Sequence, residues 1–469
     1  MFLGLDTKNP DAMAIVDSLG HTVTYGGLCA FTDEFYGHIG RRTLIFILCE
    51  NSAGALTGYS ASLSNRVVPA MLSAGMDRQL LDDLIDRYKP AYLWVPEAAA
   101  EEFSYPHIYS QYAYALLKTG HESGAIYDDL SLLLTTSGST GSPKFVRHSY
   151  RNVEANARNV ASVFGMDANE RGMVSLPLQF TQGLNVASSH LFGGATVLLT
   201  TATLTQREFW AFFREQKATS FTGVPYSYEV LDRLRFFRMD LPDLKTLNQG
   251  GGRLTNELFM KCAQYAKDTG RRFVATYGST ETTSRMAYLP YEMALDKCGS
   301  IGKAIPEGSL TLADEDGNEI TAAGETGEII YRGPNVTLGY AESGEDLIKG
   351  DERGGIYATG DMAWRDEDGC HFIVGRKKRF LKLFGYRIGL DETERLIKSG
   401  MGIECACTGT DKKMSIYITA EGRKQDTERF VCEKTGINAA AFKVVCIDEI
   451  PKSDAGKTLY SSLNQKEIK

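Results

Sequence analysis

The feature that most constrains the fold of this chain is an apolar strand that runs directly into a loop of glycine and hydroxyl residues, Leu132–Lys144. The residues up to Thr135 are apolar or β-branched and predict a buried strand. The small residues that follow allow backbone N–H groups to turn toward one point, and their hydroxyls add further donors. Lys144 ends the loop as a point charge. The combination predicts a loop that binds a polyphosphate.

The loop is not a Walker A sequence, because a G-x-x-x-x-G-K-[ST] match starting at Gly138 requires glycine where Pro143 stands. The alternative is a flexible Ser/Gly linker, which we disfavour because linkers rarely follow a buried strand directly. The residues that we expect to contact phosphate are Thr136, Ser137, Gly138, Ser139, Thr140, Gly141 and Lys144.

Composition narrows the class of protein. The 469 residues allow more than one domain, and 43% hydrophobic with 23% charged residues is typical of a globular protein. The net charge of −8 provides no basic field for nucleic acid. The nine cysteines include no C-x-x-C pair, so we expect neither a disulfide framework nor a zinc site. The chain shows no signal peptide and no long apolar run, so we expect no membrane span and a cytoplasmic location.

The first half of the chain alternates strand and helix signals. This alternation predicts an α/β fold with layered, doubly wound parallel sheets covered on both faces, and with ligand loops after the strands. The expected strands are Thr43–Leu48, Ser131–Thr135 and Ala195–Thr200, and the expected helices are Arg151–Phe164, Gln206–Lys217 and Asn256–Lys267.

The pattern changes from about Ser300 onward. Acidic turns at Asp314–Gly317 and Asp366–Gly369 predict hairpins in a β-rich, barrel-like section. A basic cluster, Arg376–Arg379, then marks the start of a small α+β unit. We therefore expect an N-terminal domain over 1–375 and a C-terminal domain over 376–469. Its expected elements are helices at Asp391–Lys398 and Thr427–Lys434, and strands at Cys405–Thr410, Met414–Thr419 and Phe442–Ile447.

Five further motifs follow the phosphate loop in a fixed order. They are Tyr277–Glu281, Tyr357–Asp361, Gly375–Arg379, Leu383–Ile388 and Pro451–Lys457. With them, the chain from about Asp17 to its C-terminus resembles the adenylate-forming superfamily of acyl-CoA ligases, adenylation domains and luciferases. Within it, the chain looks most like compact bacterial acyl-CoA synthetases. The resemblance implies ATP-dependent activation of a carboxylic acid to an acyl-adenylate with release of pyrophosphate. Transfer to a thiol then gives a thioester and AMP.

The resemblance also implies roles for individual residues. The loop Thr136–Lys144 would hold the β- and γ-phosphates. In the segment Tyr277, Gly278, Ser279, Thr280 and Glu281, the tyrosine would stack on adenine, the threonine would donate to the α-phosphate and the glutamate would hold Mg²⁺. For Glu281 alone, a surface salt bridge would be the simpler interpretation.

Residues nearer the C-terminus complete the implied site. Asp361 and Arg376 would bind the ribose, although an aspartate after glycine is also a common turn former. Lys457 would be the catalytic lysine of the first step, although composition alone makes it one basic residue among many. Lys378 would be the hinge of a mobile C-terminal domain, and the loop around Gly385 would serve the thiol step.

On the substrate side, Pro177–Gly183 matches the segment that lines the acyl pocket in the family. Phe180, Gly183, Val224 and the glycines Gly250, Gly251 and Gly252 would form the pocket, with ordinary core packing as the alternative for Phe180. Amino-acid-activating relatives place an aspartate in this segment, and no acidic residue lies between Leu176 and Ser188. Because an unpaired buried ammonium would be costly, we expect an uncharged acyl or aryl chain.

The chain departs from the family pattern after the phosphate loop. Phe145 replaces a usual glycine, Ser149-Tyr150 replaces a Thr-His pair, and His148 falls out of register, so no role is assigned to it. The thiol acceptor is either CoA or the phosphopantetheine of an acyl carrier protein. A nucleotide-binding homologue without turnover and a phosphotransferase remain as alternatives.

Overall fold

The computed structural model describes residues 1–135, 144–377, 379–383, 386–410, 412–435, 437–453 and 457–465. The strands are β1 (Met13–Asp17), β2 (Thr22–Thr24), β3 (Leu44–Cys49), β4 (Val68–Ser73), β5 (Tyr92–Pro96), β6 (His107–Gln111), β7 (Tyr114–Lys118), β8 (Leu130–Thr135), β9 (Phe145–Ser149), β10 (Arg171–Val174), β11 (Thr196–Leu199), β12 (Ser220–Gly223), β13 (Thr246–Gln249), β14 (Arg272–Tyr277), β15 (Ala287–Tyr288), β16 (Lys303–Ala304), β17 (Ser309–Ala313), β18 (Glu319–Ile320), β19 (Thr326–Arg332), β20 (Gly339–Ala341), β21 (Ile356–Arg365), β22 (His371–Arg376), β23 (Phe380–Leu383), β24 (Tyr386–Gly389), β25 (Cys405–Thr410), β26 (Lys413–Ile418) and β27 (Phe442–Cys446). The α-helices are α1 (Tyr25–Ile39), α2 (Ala53–Ser64), α3 (Arg78–Tyr88), α4 (Tyr150–Phe164), α5 (Thr181–Gly193), α6 (Arg207–Glu215), α7 (Pro225–Arg233), α8 (Asn256–Asp268), α9 (Leu390–Met401), α10 (Lys424–Thr435) and α11 (Tyr460–Gln465).

An eight-stranded sheet carries the strand that precedes the phosphate loop. Its order is β20-β9-β8-β4-β3-β5-β7-β6, with β8, β4, β3 and β5 parallel and the outer strands antiparallel. The central strand β3 is buried on both faces, which explains its uninterrupted apolar sequence. Leu44, Phe46 and Leu48 pack with α3, whereas Ile45 and Ile47 pack with α1 and α2. β8 is parallel to its neighbour β4. β9, which follows the phosphate loop, pairs antiparallel with β8.

A nine-stranded sheet forms the second layer, in the order β16-β15-β14-β13-β12-β10-β11-β1-β2. Its six central strands, β14 to β1, are parallel, and β2, β15 and β16 add antiparallel edges. One buried cluster joins residues of both sheets with residues of α1, α2 and α5, so these helices lie between the two layers. The predicted α/β class with layered, doubly wound sheets is confirmed.

Local sequence explains how the chain leaves β9. Ser149 accepts a hydrogen bond from the backbone N–H of Asn152 at 3.1 Å, and the Asn152 side chain accepts one from the Ser149 N–H at 2.8 Å. This capping box starts α4, and Gly165 ends it in the left-handed conformation with φ 60°. Ser149-Tyr150, which departs from the family pattern, is thus a helix start. Phe145 is fully buried, and its ring centroid lies 4.8 Å from that of Tyr88.

The chain divides into two compact units, one formed by Met1–Leu310 with Tyr331–Tyr357 and the other by Thr311–Ile330 with Ala358–Lys469. The second unit contains most of a five-stranded sheet, β18-β17-β19-β21-β22, whose hairpins turn at the predicted acidic Asp-Gly sites. Its C-terminal part has the three-stranded sheet β25-β26-β27 with α9 and α10. This grouping assigns part of the β-rich section to the second unit, whereas the sequence places the boundary at 375/376. That boundary and the hinge at Lys378 stay predictions.

The six helices and strands predicted in the first half occur, as do the five predicted near the C-terminus, with ends shifted by a few residues. Cys405 and Cys407 are buried in one cluster while Ala406 belongs to another, as expected of alternating strand residues. None of the nine cysteines, all within the described residues, forms a disulfide bond. In the part of the chain that the structure describes, no helix has both the length and the apolar character needed to cross a lipid bilayer.

Candidate functional site

The Tyr277–Glu281 segment forms a tight loop at the end of β14. Tyr277 ends the strand, Ser279 precedes a short 3₁₀ turn at Thr280–Thr282, and the Met286 N–H donates back to the Tyr277 carbonyl at 2.8 Å. Gly278 allows this closure, because a Cβ at that position would lie 1.6 Å from the carbonyl oxygen of Ser284. The glycine of the motif is thus required by a close backbone approach.

The same loop carries unusual backbone conformations. Thr283 and Ser284 have φ values of 50° and 99°, in the left-handed region that non-glycine residues rarely adopt. The Ser284 N–H donates to the Ser279 carbonyl at 3.1 Å, and the Thr283 hydroxyl donates to the Asn335 carbonyl at 2.8 Å. Surrounding contacts therefore hold a strained turn directly after the motif, as at many functional sites.

Glu281 is fixed through both its backbone and its side chain. Its carbonyl oxygen accepts hydrogen bonds from the Thr337 N–H at 3.0 Å, the Thr337 hydroxyl at 2.9 Å and the Arg353 guanidinium at 3.2 Å. Its Oε1 accepts a hydrogen bond from the Tyr340 hydroxyl at 2.8 Å. Burial and the neighbouring carboxylate raise the pKa of Tyr340, so its hydroxyl keeps the proton that it donates.

The ring of Tyr340 also contacts two cations. Lys144 Nζ lies 3.7 Å from the ring centroid, and the Arg353 guanidinium carbon lies 4.8 Å from it and 5.1 Å from the ring of Tyr357. The lysine that ends the phosphate loop and the predicted metal ligand Glu281 therefore contact the same tyrosine. These residues were predicted from separate motifs, and the fold brings them together.

The carboxylate of Glu281 fits a magnesium ion that arrives with a polyphosphate. The described residues contain no group of three or more His, Cys, Asp or Glu side chains placed to hold a metal. Mg²⁺ in phosphate-handling sites takes one or two carboxylates and completes its shell with phosphate oxygens and water. Glu281 offers one such carboxylate, and its role as the metal ligand stays a prediction.

The segment at the start of α5 meets the Tyr277–Glu281 loop. The Thr181 hydroxyl donates to the Thr280 hydroxyl at 3.0 Å. Gly183 allows the chain to turn here, because a Cβ would lie 2.4 Å from the Pro177 carbonyl oxygen. Phe180, just before the helix, is half-buried.

The glycine turn after β13 packs against the same segment. A Cβ on Gly250 would lie 2.6 Å from Gln182 Nε2, and one on Gly251 would lie 3.0 Å from Val224 Cγ1. Gly251 has φ 76°, which favours glycine. The predicted wall residues Gly250, Gly251 and Val224 are thus adjacent, and a Cβ on Gly252 would lie 3.0 Å from Pro225 Cγ at the start of α7. Their contact with a substrate stays a prediction.

Asp361 and Arg376, in the second unit, form a cross-strand pair. They are aligned partners in the β21–β22 hairpin, and Arg376 Nε lies 2.5 Å from Asp361 Oδ1. Asp361 is 6% exposed, and its N–H donates to the Thr359 hydroxyl at 3.0 Å. The proximity expected of the two ribose ligands is present, while the ribose role itself stays a prediction.

Lys457, also in the second unit, directly precedes Thr458, which forms an isolated antiparallel bridge with Lys452. Its carbonyl oxygen accepts a hydrogen bond from the Ser453 N–H at 2.8 Å, and the residue is exposed. Just beyond it, the Tyr460 hydroxyl donates to Glu394 Oε2 at 3.1 Å, and its ring lies 3.6 Å from the Arg379 guanidinium carbon. Tyr460, three residues after Lys457, thus contacts Arg379, which directly follows the predicted hinge Lys378.

Several predicted site residues lie outside the described residues. They are Thr136, Ser137, Gly138, Ser139, Thr140 and Gly141 of the phosphate loop, the predicted hinge Lys378, and Gly385. Their roles stay predictions.

Sequence reasoning missed the residues that support the site from other parts of the chain. Thr181, Thr337, Tyr340 and Arg353 carry no distinctive local pattern. Thr181 stands inside the segment already assigned to the substrate pocket, which was the one signal available for it. The other three become functional candidates only through their hydrogen bonds with Glu281.

The two layered sheets have the fold of the adenylate-forming proteins. The chain belongs to the AMP-binding enzyme family, whose model matches residues 6–341. The chain is 31% identical over 350 residues to an indoleacetate–CoA ligase of Aromatoleum aromaticum (strain DSM 19018 / LMG 30748 / EbN1), covering 71% of this chain and 66% of that one. It is 29% identical over 360 residues to a long-chain-fatty-acid–CoA ligase of Escherichia coli O157:H7, covering 72% of this chain and 62% of that one. The matches thus span less than two thirds of these relatives.

Solved structures show the same fold over nearly the whole chain. The o-succinylbenzoate CoA synthetase of Bacillus subtilis, in complex with the acyl-adenylate intermediate OSB-AMP, has a TM-score of 0.79 at 20% identity and covers 98% of this chain and 97% of that one. The ATP-bound MatB of Rhodopseudomonas palustris has a TM-score of 0.77 at 22% identity and covers 99% of this chain and 98% of that one. At these identities, the similarity establishes the fold.

Proposed function

We propose that this protein activates a carboxylic acid with ATP to an acyl-adenylate and transfers the acyl group to a thiol. The observation that carries this proposal is the contact of Glu281 and Lys144 with the two ends of Tyr340, one with its hydroxyl and the other with its ring. The carboxylate that we propose as metal ligand and the lysine that we propose as phosphate contact thus share one tyrosine. Membership in the AMP-binding enzyme family supports the same chemistry.

In the first step, a substrate carboxylate oxygen attacks the α-phosphorus of ATP, and the bond to the bridging oxygen of pyrophosphate breaks. Both groups are anionic, so the site must mainly neutralise charge and orient the reactants. Lys144 and Arg353 supply positive charge around Tyr340, and Thr280, held by Thr181, would donate to the α-phosphate. Mg²⁺, when bound at Glu281, supplies Lewis-acid neutralisation of the phosphates. Lys457 would neutralise charge between the carboxylate and the α-phosphate.

In the second step, a thiolate attacks the acyl carbonyl carbon and expels AMP. We propose CoA as the acceptor, because the two relatives described above are named as CoA ligases. Loading of a carrier-protein phosphopantetheine is the alternative. We also propose a cytoplasmic location, since the nine cysteines form no disulfide.

We propose that the acid carries an uncharged acyl or aryl chain. Phe180 and Val224 offer apolar, half-buried surface beside the glycine turn, and no acidic residue lies between Leu176 and Ser188. A substrate ammonium would find no counter-charge in that segment.

Carboxylate-dependent ATP–pyrophosphate exchange on a panel of acids tests the proposal. We expect exchange with at least one acid and its loss in Lys457→Ala, because the proposed neutralising charge is removed. Lys452→Ala, an exposed lysine of the same segment, should keep it. Thiolation of a synthetic adenylate should survive Lys457→Ala.

Other outcomes would favour the alternatives. Exchange that persists in Lys457→Ala refutes the role of that lysine. Tight ATP binding without exchange for any acid would indicate a homologue without turnover. Formation of ADP rather than AMP and pyrophosphate would indicate a phosphotransferase.

A further inference from the structure

A fully enclosed arginine lies directly behind the candidate site. Arg285 is 3% exposed. Its guanidinium donates to the side-chain oxygens of Asn185 and of Asn248, the latter at 2.6 Å, and to the Thr276 hydroxyl at 3.4 Å. The ring of Phe164 lies 5.5 Å from its guanidinium carbon. Every one of these partners is neutral.

No carboxylate forms an ion pair with Arg285 within the described part of the chain. Desolvation lowers the pKa of Arg285 to about 10, so the side chain stays charged at neutral pH. Arg147 provides the contrast, because it is equally buried but pairs with Glu352. Buried charges in proteins are normally paired, so the unbalanced charge of Arg285 calls for an anion from elsewhere.

The position of Arg285 indicates which anion that is. It follows the predicted metal ligand Glu281 by four positions in the chain. Asn185 lies on α5, four residues after Thr181, which contacts Thr280. Asn248 lies on β13, two residues before the glycine turn that starts at Gly250. The guanidinium therefore joins the three segments that line the candidate nucleotide and substrate site.

We propose that Arg285 is a positioning residue that makes the site selective for anionic nucleotides. Its donors hold the three segments in register, and its charge is balanced when the phosphates of ATP or of the adenylate bind. The inference rests on the proposed adenylation function, and it adds a buried electrostatic contribution from a residue that does not itself touch the phosphates.

Calorimetric titration of the full chain with ATP and with adenosine tests this inference, because the two ligands differ in charge but share the base and ribose. Arg285→Gln removes the charge, Arg285→Lys keeps it without the planar fork, and Asn248→Asp supplies an internal carboxylate of matched size. We expect Arg285→Gln and Asn248→Asp to weaken ATP binding by about 10-fold or more, and Arg285→Lys by about 3-fold or less. Adenosine affinity should change by less than about 2-fold in all three.

Asn159→Asp is the matched control for Asn248→Asp. Asn159 is 2% exposed and Asn248 is 3% exposed, and each donates from its side chain to one backbone carbonyl, of Pro306 and Val274 respectively. Asn159→Asp therefore also buries a carboxylate and removes one hydrogen-bond donor, but Asn159 does not contact Arg285. We expect the ATP affinity of this variant to stay within about 2-fold of the wild-type value. Thermal unfolding of each variant establishes that it is folded.

Three results would overturn the inference: equal weakening of ATP and adenosine, unchanged ATP affinity in both Arg285→Gln and Asn248→Asp, or a loss in Arg285→Lys as large as that in Arg285→Gln. If adenosine binds too weakly to measure, the ATP affinities of Arg285→Lys and Arg285→Gln alone test the role of the charge. If neither Arg285 variant folds, the ATP affinity of Asn248→Asp tests it. A wild-type protein that binds no ATP would refute the proposed function itself. Wild-type binding without the expected differences among the variants refutes only the role of Arg285.

Discussion

At the scale of single residues, the sequence motifs led to predicted roles for Glu281 and Lys144, but they did not indicate which residues hold these two side chains in place. Glu281 and Lys144 could be assigned from their motifs, because the types and order of the residues are distinctive. Tyr340, which contacts both, could not be assigned, because it comes 59 positions after Glu281 in the chain. Its role follows from tertiary packing, which no local pattern encodes.

We predict that Glu281→Gln reduces ATP–pyrophosphate exchange by about 100-fold or more, because a neutral amide of the same size cannot serve as the metal carboxylate. Steady-state exchange at saturating acid is the measurement. Tyr340→Phe is the comparison, since it keeps the ring under Lys144 and removes only the hydroxyl that donates to Glu281. We expect a loss of about 10-fold or less there. Near-normal exchange in Glu281→Gln would exclude the metal role.

Gly278→Ala tests the geometry of the loop. Because the added Cβ would lie 1.6 Å from the Ser284 carbonyl oxygen, the loop must open, and we expect a lower melting temperature together with a large loss of exchange. Gly37→Ala is the matched control, since Gly37 is an exposed residue of α1 with no atom within 4 Å of the added Cβ. It should stabilise the fold by about 0.5–1 kcal/mol. A Gly278→Ala protein with unchanged melting and exchange would contradict the loop geometry.

At the scale of helices and strands, the predictable elements are those with a strong local pattern. β3 and α8 lie within a few residues of their predicted ranges, because a run buried on both faces and a 3.6-residue periodicity are visible in the sequence. β9 was not predicted, although its five residues are all buried. Polar residues such as Arg147 and His148 interrupt its apolar pattern, and their partners come from the distant chain.

His148 gives β9 a measurable pH dependence. Burial, aided by the charge of Arg353, lowers the pKa of His148 to about 3, against 6.5 as its ordinary value. Below about pH 6.5, His148 therefore binds a proton in the unfolded chain but not in the folded protein. The contribution of neutral His148 to the free energy of unfolding is complete at neutral pH and decreases as the pH falls toward 3. We expect the free energy of unfolding in urea to fall by about 2 kcal/mol between pH 7.5 and 5 from His148 alone.

His148→Gln should lack that part of the pH dependence. His107→Gln, at an exposed histidine of β6, should retain the wild-type profile. If His148→Gln has the wild-type pH profile, the buried neutral state of His148 is excluded.

At the scale of the whole molecule, the sequence predicted a large α/β part and a small α+β part. The motifs indicated the order of these parts along the chain. The compact units are not continuous in sequence, because Thr311–Ile330 groups with Ala358–Lys469 while Tyr331–Tyr357 groups with the first unit. The predicted boundary at 375/376 therefore stays a prediction, because the grouping into compact units follows contacts between distant segments. The motif-based boundary marks a change of composition, whereas compactness depends on pairing between distant strands.

Lys378→Pro tests the predicted hinge. Proline fixes φ, so we expect it to impair one half-reaction more than the other, while Lys378→Ala should keep both. ATP–pyrophosphate exchange reports the first half-reaction, and thioester formation from a synthetic adenylate reports the second. Equal loss in both by the proline variant, with the fold intact, would argue against alternation between two domain poses.

The pairing of β20 with β9 has a consequence for how the chain matures during synthesis. Arg147 leaves the ribosome long before Gly339, its aligned partner in the sheet. Until then, one edge of β9 has no strand beside it, and unpaired edges invite association between chains. Nascent chains that end before Gly339 should therefore be sensitive to proteases and bound by chaperones. Once β20 has been synthesised and pairs with β9, the chains should no longer be bound by chaperones.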